Sequence, residues 1–589
     1  MPTYTAPLND FAFLMDKVFD MPAFWQSIPS LSHVDIDTAK AILEGAGKLC
    51  EQELAPLNQP GDAQGARLED GDVVAPDGFK AAYAAYCEGG WGMLGGNPDY
   101  DGMGMPKSLV SMVEEMVQGA NMAFGLAPML TAGATLAIDA HGDDAVKELY
   151  LPKMYSGEWS GAMDLTEPHC GTDLGLIRTK AEPTGDGSFL LSGTKIFITW
   201  GDHDMAENVV HLVLAKTPDA PEGTRGISMF LVPKFIPESD GTLGKRNGLS
   251  VGSIEHKMGI HGSATCVMNF DNAQGWLIGP ENKGLAAMFT MMNYERLVVG
   301  VQGMGAADAS YQTALEYAKD RLQGRAAQKQ DRTNAAADPI IVHGDVRRML
   351  LTMKAYNEAG RAFYLYCSRF LDAAKYSDDK SIKDTGTKLV DFLTPVAKAY
   401  MTDVALEAAV LGQQVLGGHG YVREWGQEQY VRDIRITQIY EGTNGIQAMD
   451  LIGRKTLACN GELAQTFMAD IRGFYNAHPD AVFRSNVEGG LEALGEVTEF
   501  VLQQADKDPN IAGAVANDYL HLVGLLAYGF MWSRMAYASK LDSSSDASIS
   551  GKQQTAQFFF ERIFPKIDFH RAVILSGSES VMTLEESGF

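Results

Sequence analysis

Cysteine is scarce in this 589-residue chain. There are six, Cys50, Cys87, Cys170, Cys266, Cys367 and Cys459, with no CxxC pair among them. Such spacing argues against a disulfide framework or a structural zinc site, and fits a reducing cytosol. Positive charge is short as well: 48 Lys and Arg stand against 75 Asp and Glu, a formal net charge of −27. A chain of that balance repels nucleic acid and anionic membrane surfaces, so neither is expected as a partner. The opening segment, MPTYTAPLNDFAF, carries Asp10 early and lacks a basic region followed by an apolar one, so it does not read as a secretory signal. The most apolar stretch, LHLVGLLAYGFMW, contains His521 and falls short of the ~20 residues of a spanning helix; it reads as a buried bundle helix. A G-x-G-x-x-G after a strand is also missing, which leaves no support for a Rossmann dinucleotide site. His169, His203, His256, His261 and His419 show no metal-ligand spacing, and no metal is expected.

What is present is an ordinary globular composition, 46% apolar and 21% charged, in a chain too long for one hydrophobic core. Its texture changes along its length. Helical periodicity runs through 36–163, as in DTAKAILEGAGKLCEQEL, interrupted by the loop GGNPDYDGMGMP. From 164 to 282 short apolar or alternating runs such as KIFITWG and ENVVHLVLAK, punctuated by Gly, Asp, Pro and Asn, predict an antiparallel β-sandwich or barrel. Helical pattern returns over 283–460, opening with one extended helix, and again over 461–589, where LDSSSDASISGK reads as a loop. With a 1–35 extension this predicts a segregated α+β, multidomain chain, not alternating βαβ units.

Four motifs carry chemistry. In LTEPHCGTD, Gly171 lets backbone N–H groups approach a ligand, and Thr166 and Thr172 offer hydroxyls; the bland alternative is a turn-rich entry to the β region. In KIFITWG, Phe197 and Thr199 alternate onto one face of a strand, a pattern also common in cores. In QVLGGHGY, three glycines beside a helix end suggest a phosphate cradle or merely a helix cap. In RITQIYEGTNGIQ, Glu441 follows an apolar and aromatic run; between apolar walls a carboxylate becomes a stronger base, whereas at a helix start it could simply complement the dipole.

Together and in this order, LTEP-x-x-GTD, FIT-x-G, GG-x-GY and YEGTN-x-IQ resemble the acyl-CoA dehydrogenase family. The family resemblance implies an N-terminal helical domain, a β domain and a helical bundle that clamp FAD in a homodimer, possibly a dimer of dimers. By motif match, Leu165, Thr166, Gly171, Thr172, Phe197 and Thr199 would meet the flavin and its phosphates. Gln414, Gly417, Gly418, Gly420 and Arg321 would reach FAD across the dimer, and Thr443 and Asn444 would also contact the cofactor. Arg321 stands in DRLQGR, which lacks the phenylalanine of the common R-x-x-F-G pattern.

The resemblance implies that Glu441 removes the α-proton while a hydride passes from Cβ to flavin N5. The thioester carbonyl would be held by the Glu441 N–H and a ribityl hydroxyl. Glu295, in MNYERLVVG, is the alternative base, since some branches place theirs on that helix; Asn293 and Arg296 are candidates for CoA contacts. The flanking segments resemble a bacterial branch with an extra C-terminal helical region. That narrower likeness implies 3-(methylthio)propanoyl-CoA as substrate, in dimethylsulfoniopropionate breakdown, with an electron-transferring flavoprotein as acceptor. The competing readings are an acyl-CoA oxidase and a nucleic-acid-binding relative; retention of Glu441 and the acidic balance disfavour the latter.

Overall fold

A computed structural model describes residues 3–542 and 547–589. They fall into two compact units, one made of Gly45–Pro106 and Met116–Val298, the other of Met1–Glu44, Lys107–Glu115 and Val299–Phe589.

The first unit is built on one seven-stranded sheet. Its strands follow the hydrogen-bonded order Leu249–Ile254, Thr265–Ile278, Phe189–Thr199, Lys180–Pro183, Asn208–Lys216 and Trp159–Asp164. Strand Ile227–Pro233 pairs with both Thr265–Ile278 and Asn208–Lys216, which closes the ladder into a barrel-like ring. Two expectations need correction. The sheet is mixed rather than antiparallel: Trp159–Asp164 runs parallel to Asn208–Lys216, with Ala162 opposite His211. Such a pair needs a long crossover, here the loop and strands of 165–207. Strand structure also starts at Trp159, inside the stretch expected to be helical. WSGAMD is buried almost throughout, so it shows no alternation to betray a strand. A small hairpin, Arg67–Glu69 with Asp72–Val74, likewise interrupts the helical texture, turned by Asp70 and Gly71 at positive φ. The core gathers Trp159, Leu212, Leu214, Met229 and Leu231 with the helix residues Met288 and Met291, all fully buried.

The second unit is helical. The boundary between units falls within the predicted extended helix, Gly284–Asp320, and the bundle continues in Gly344–Tyr376 and Lys380–Leu416. The C-terminal region adds Glu462–Ala477, Arg484–Gln504, Ile511–Leu541, Ala547–Arg562 and Lys566–Leu575. The loop expected over LDSSSDASISGK is shorter than its composition suggests. Residues 543–546 lie outside the described residues, but from Ala547 the chain is already helical. Met122–His141 and Ile511–Leu541 are the two described helices long and apolar enough to cross a membrane; both are mostly buried within the fold.

The N-terminal segment is packed into this second unit, with Phe11, Leu14, Met15 and Trp25 fully buried. Asp10 is bonded by Arg361 and by Lys552. Burial alone would raise the Asp10 carboxyl; Lys552 and Arg361 outweigh it and hold the group well below the usual carboxylate range. Arg361 also binds Glu115 through its guanidinium and lies 3.3 Å from Asp308.

Candidate active site

In the β unit, the loop after strand Trp159–Asp164 is tied to the end of strand Phe189–Thr199. The Ile196 N–H donates to the Thr166 carbonyl at 2.9 Å, so the first two motifs are joined by backbone. The fully buried Lys195 reinforces the joint, its Nζ donating to the Leu165 carbonyl at 3.0 Å and to Glu167 at 2.9 Å. Glu167 further accepts from the Thr179 hydroxyl at 2.6 Å and from the Arg178 N–H at 2.7 Å. Burial pushes the Glu167 carboxyl up, but Lys195 and these donors leave it below its ordinary value. Burial lowers Lys195 despite its partner.

Glu167, His169 and Cys170 bring ligand-type atoms within 4.8 Å of one another. The carboxylate is already committed to Lys195, Thr179 and Arg178, and His169 Nε2 bonds the Leu176 carbonyl at 2.9 Å. The trio is therefore a hydrogen-bonded scaffold. The sequence reading singled out neither Glu167 nor Lys195; a lysine in the middle of the strand pattern was the available signal.

Phe197 sits at a β-bulge, where the pairing jumps from Cys266↔Ile198 to Met268↔Lys195. It has φ +61°, rare for a bulky residue, and 59% of its surface is exposed. The ring is thus held outward from the core in a strained conformation. Thr199 pairs with Thr265 two residues on, half-buried. Gly171 and Thr172 are exposed, and a Cβ on Gly171 would lie 3.4 Å from the Thr166 methyl.

Helix Gly284–Asp320 carries three predicted residues within the same unit. Arg296 donates to the Asn293 side chain at 3.2 Å and lies over the Phe289 ring. Glu295 is fully buried, turned toward Gly133, whose Cβ would come within 2.7 Å of its Oε1. That packing leaves no space there for a larger residue.

The helical unit holds the other two motifs. Helix Lys380–Leu416 ends at Gly417, φ +59°, so the glycine cluster does cap a helix. Gly417 and Gly418 are exposed, and a Cβ at either would meet nothing within 4 Å. Gly420 is buried, and Gln414 is exposed one turn before the cap. The Tyr317 hydroxyl meets His419 Nδ1 at 3.0 Å, which brings this loop beside the end of helix Gly284–Asp320. Arg321, exposed just beyond that end, follows Tyr317 by one turn.

Glu441 adopts φ +55° and Gly442 φ +83°, a sharp left-handed turn. A glutamate in that region costs about 1–2 kcal/mol, which surrounding contacts must offset. Gln447 does so from the following helix, donating to the Glu441 carbonyl at 3.0 Å. Thr443 caps helix Asn444–Met449, its hydroxyl accepting from the Ile446 N–H at 3.3 Å. Tyr440, immediately before the turn, donates to Gln302. Glu441 itself is half-buried.

Asn444 is held within the helical unit. Its side chain turns into the bundle: Lys398 donates to its Oδ1 at 2.8 Å, and its Nδ2 donates to the Ala399 carbonyl, to Thr402 and to Asp403. Its amide is thereby committed to helix Lys380–Leu416. Lys398 and Asp403 were not singled out from sequence, although both interrupt an apolar run.

Taken by itself, the first unit offers an outward aromatic face at Phe197 and hydroxyls at Thr166, Thr172 and Thr199, which suit a flat ring system. The second unit by itself offers exposed glycine backbone at Gly417 and Gly418, which suits a phosphate.

Comparison with known proteins agrees along nearly the whole chain. Four family models match: the acyl-CoA dehydrogenase N-terminal domain over 37–158, the middle domain over 162–273, the C-terminal domain over 282–457, and an acetyl-CoA dehydrogenase C-terminal-like domain over 467–585. A 3-methylmercaptopropionyl-CoA dehydrogenase from Ruegeria pomeroyi is 42% identical, covering 99% of each chain. A butyryl-CoA dehydrogenase from Syntrophomonas wolfei is 34% identical over 100% of this chain and 99% of that one. An acyl-CoA dehydrogenase from Bacillus anthracis, solved with FAD, has a TM-score of 0.74 at 21% identity, covering 96% of this chain and 91% of that one. FAD is the family's cofactor. The chain belongs to the acyl-CoA dehydrogenase family and is an oxidoreductase of acyl-CoA thioesters.

Proposed function

We propose that this enzyme desaturates a short acyl-CoA between Cα and Cβ, with Glu441 as the base and 3-(methylthio)propanoyl-CoA as the substrate it is shaped for. The observation that carries the assignment of the base is the strained turn at Glu441, braced by Gln447 and capped by Thr443. Strain of this kind persists where a side chain must be presented at a fixed angle.

In this reading the Glu441 N–H donates to the thioester carbonyl, stabilising the charge that develops as the α-proton leaves; such a donor is typically worth ~3 kcal/mol. The Glu441 carboxylate takes that proton. FAD, when bound, supplies the acceptor for the two electrons and the hydrogen that leave Cβ. Leu165, Thr166, Gly171, Thr172, Phe197 and Thr199 would hold the ring, with Phe197 as its aromatic neighbour. Gln414, Gly417, Gly418, Gly420, Arg321 and Thr443 would hold the remainder, two protomers contributing to each site of a homodimer. Asn293 and Arg296 would meet CoA. An electron-transferring flavoprotein would reoxidise the enzyme in the cytoplasm, without a nucleic-acid or membrane partner.

The substrate assignment draws support from the Ruegeria relative. Sulfur stands in for a methylene at nearly the same volume, and differences of one methylene are discriminated only about 10- to 200-fold. Butanoyl-CoA is therefore expected to react as well, more slowly.

The test is anaerobic reduction of the FAD-loaded enzyme by acyl-CoAs, followed by loss of flavin absorbance, in wild type, Glu441→Gln and Glu295→Gln. We expect Glu441→Gln to be about 10²- to 10⁴-fold slower, the range for a general base. Glu295→Gln should stay within a few-fold of wild type. A slow Glu295→Gln beside a wild-type Glu441→Gln would move the base to the long helix.

A further inference from the structure

The C-terminal helical region reaches the base-bearing loop through a hydrogen-bonded chain that the reaction as described does not use. His521 lies on helix Ile511–Leu541, at the start of its most apolar stretch. Its Nε2 meets Asp403 Oδ2 at 2.9 Å. The other oxygen of Asp403, Oδ1, accepts from Asn444 Nδ2 at 2.7 Å and from Gln438 Nε2 at 2.6 Å. Gln438 and Asn444 stand three residues to either side of Glu441, so this one carboxylate grips both shoulders of the loop that presents it.

The two helices are shaped for this meeting. Tyr400 and Asp403 are three residues apart on one helix, His521 and Gly524 three apart on the other, so each pair shares a face. A Cβ on Gly524 would lie 2.3 Å from the Tyr400 ring, which therefore rests directly on helix backbone. The same ring meets the His521 imidazole edge-on, centroids 5.4 Å apart. On its far side His521 faces His570 of helix Lys566–Leu575, at 5.3 Å between rings, and His570 is itself bonded to Asp518 at 2.8 Å. The imidazole is thus held by contacts from two neighbouring helices, with one nitrogen aimed at Asp403.

We propose that His521 is a positioning residue for dehydrogenation: by donating to Asp403 it fixes the carboxylate that holds Gln438 and Asn444, and through them the angle of Glu441. The inference rests on Glu441 being the base. It gives the C-terminal region a part in the reaction, because without His521 one oxygen of Asp403 loses its donor and the carboxylate is free to rotate away from the two amides.

The experiment compares FAD-loaded wild type with His521→Leu, His521→Gln, Asp403→Asn, Glu441→Gln and Thr498→Val, using butanoyl-CoA. Thr498 bonds Tyr519 in the same C-terminal region at 2.8 Å and lies off the chain, so it controls for general loosening. We expect His521→Leu and Asp403→Asn to reduce flavin about tenfold more slowly, the scale of coupling through a contact network, with KM within about twofold. Glutamine, which returns a donor at similar reach, should recover most of the rate at His521, and Thr498→Val should match wild type. A wild-type rate in His521→Leu overturns the proposal, as does a glutamine variant as slow as leucine. Should His521→Leu fail to fold, a wild-type rate in Asp403→Asn overturns it equally. Wild-type reduction by Glu441→Gln would instead defeat the reading of the base, whatever His521 does.

Discussion

The loop at 165–173 and the loop at 441–444 both hold side chains proposed above to act in the reaction, but by opposite means. The first is anchored by a buried charge pair, Lys195 with Glu167, saturated by Thr179 and Arg178. At the second the bonds reaching the Glu441 turn come from amides and hydroxyls: Gln447 on the Glu441 carbonyl, Thr443 on the following helix, Tyr440 on Gln302. Charged groups enter through side-chain amides at its two ends, Lys398 and Asp403 at Asn444 and Asp403 again at Gln438. A buried ion pair is costly to open, so it makes a rigid floor. Neutral bonds net about 1 kcal/mol each, so a loop built on them can be adjusted without dismantling the bundle. The comparison teaches that one loop is fixed by a charge pair and the other by neutral bonds, a difference that suits a platform and, on the proposed reading of Glu441, an adjustable base.

The contrast can be broken from either side. The largest stability effect is expected for Glu167→Ala, which strands the fully buried Lys195. Loss of about 3–5 kcal/mol should appear in denaturant melts followed by tryptophan fluorescence. A loss under 1 kcal/mol would remove the distinction between the two loops. Next comes Gly442→Ala, at φ +83° and with its new Cβ 2.7 Å from Gln447 Nε2. It should cost about 1–2 kcal/mol locally and slow flavin reduction while leaving the global melt nearly unchanged. The smallest is Thr443→Ala, where loss of a helix cap is worth about 1 kcal/mol, visible as faster amide exchange at Ile446. If Thr443→Ala instead unfolded the bundle, the loop would be a structural keystone and the comparison would fail.

Much of this arrangement was legible from sequence because it is local. The long helix Gly284–Asp320 follows its apolar periodicity through several glycines, and the strand carrying Phe197 and Thr199 is where alternation placed it. The features that sequence hid depend on distant partners. Strand Trp159–Asp164 looked helical because burial on both faces erases alternation. The left-handed state of Phe197 is set by a bulge against Cys266–Met268, some seventy positions away. The partners of the Asn444 amide, Lys398 and Asp403, lie on a helix that one-dimensional pattern cannot dock, so these bonds were not legible from sequence.

The pairing of Asp10 with Lys552 sets a schedule for biosynthesis. The two residues are 542 positions apart in the chain. At ribosomal speeds of about 5–20 residues per second, Asp10 waits on the order of half a minute to two minutes for its partner to be made. Until then Phe11, Leu14, Met15 and Trp25, all destined for the interior, have no completed site to enter. A helix made long before its partner is therefore among the last to be seated. During that interval the nascent chain carries an apolar segment whose buried partners do not yet exist.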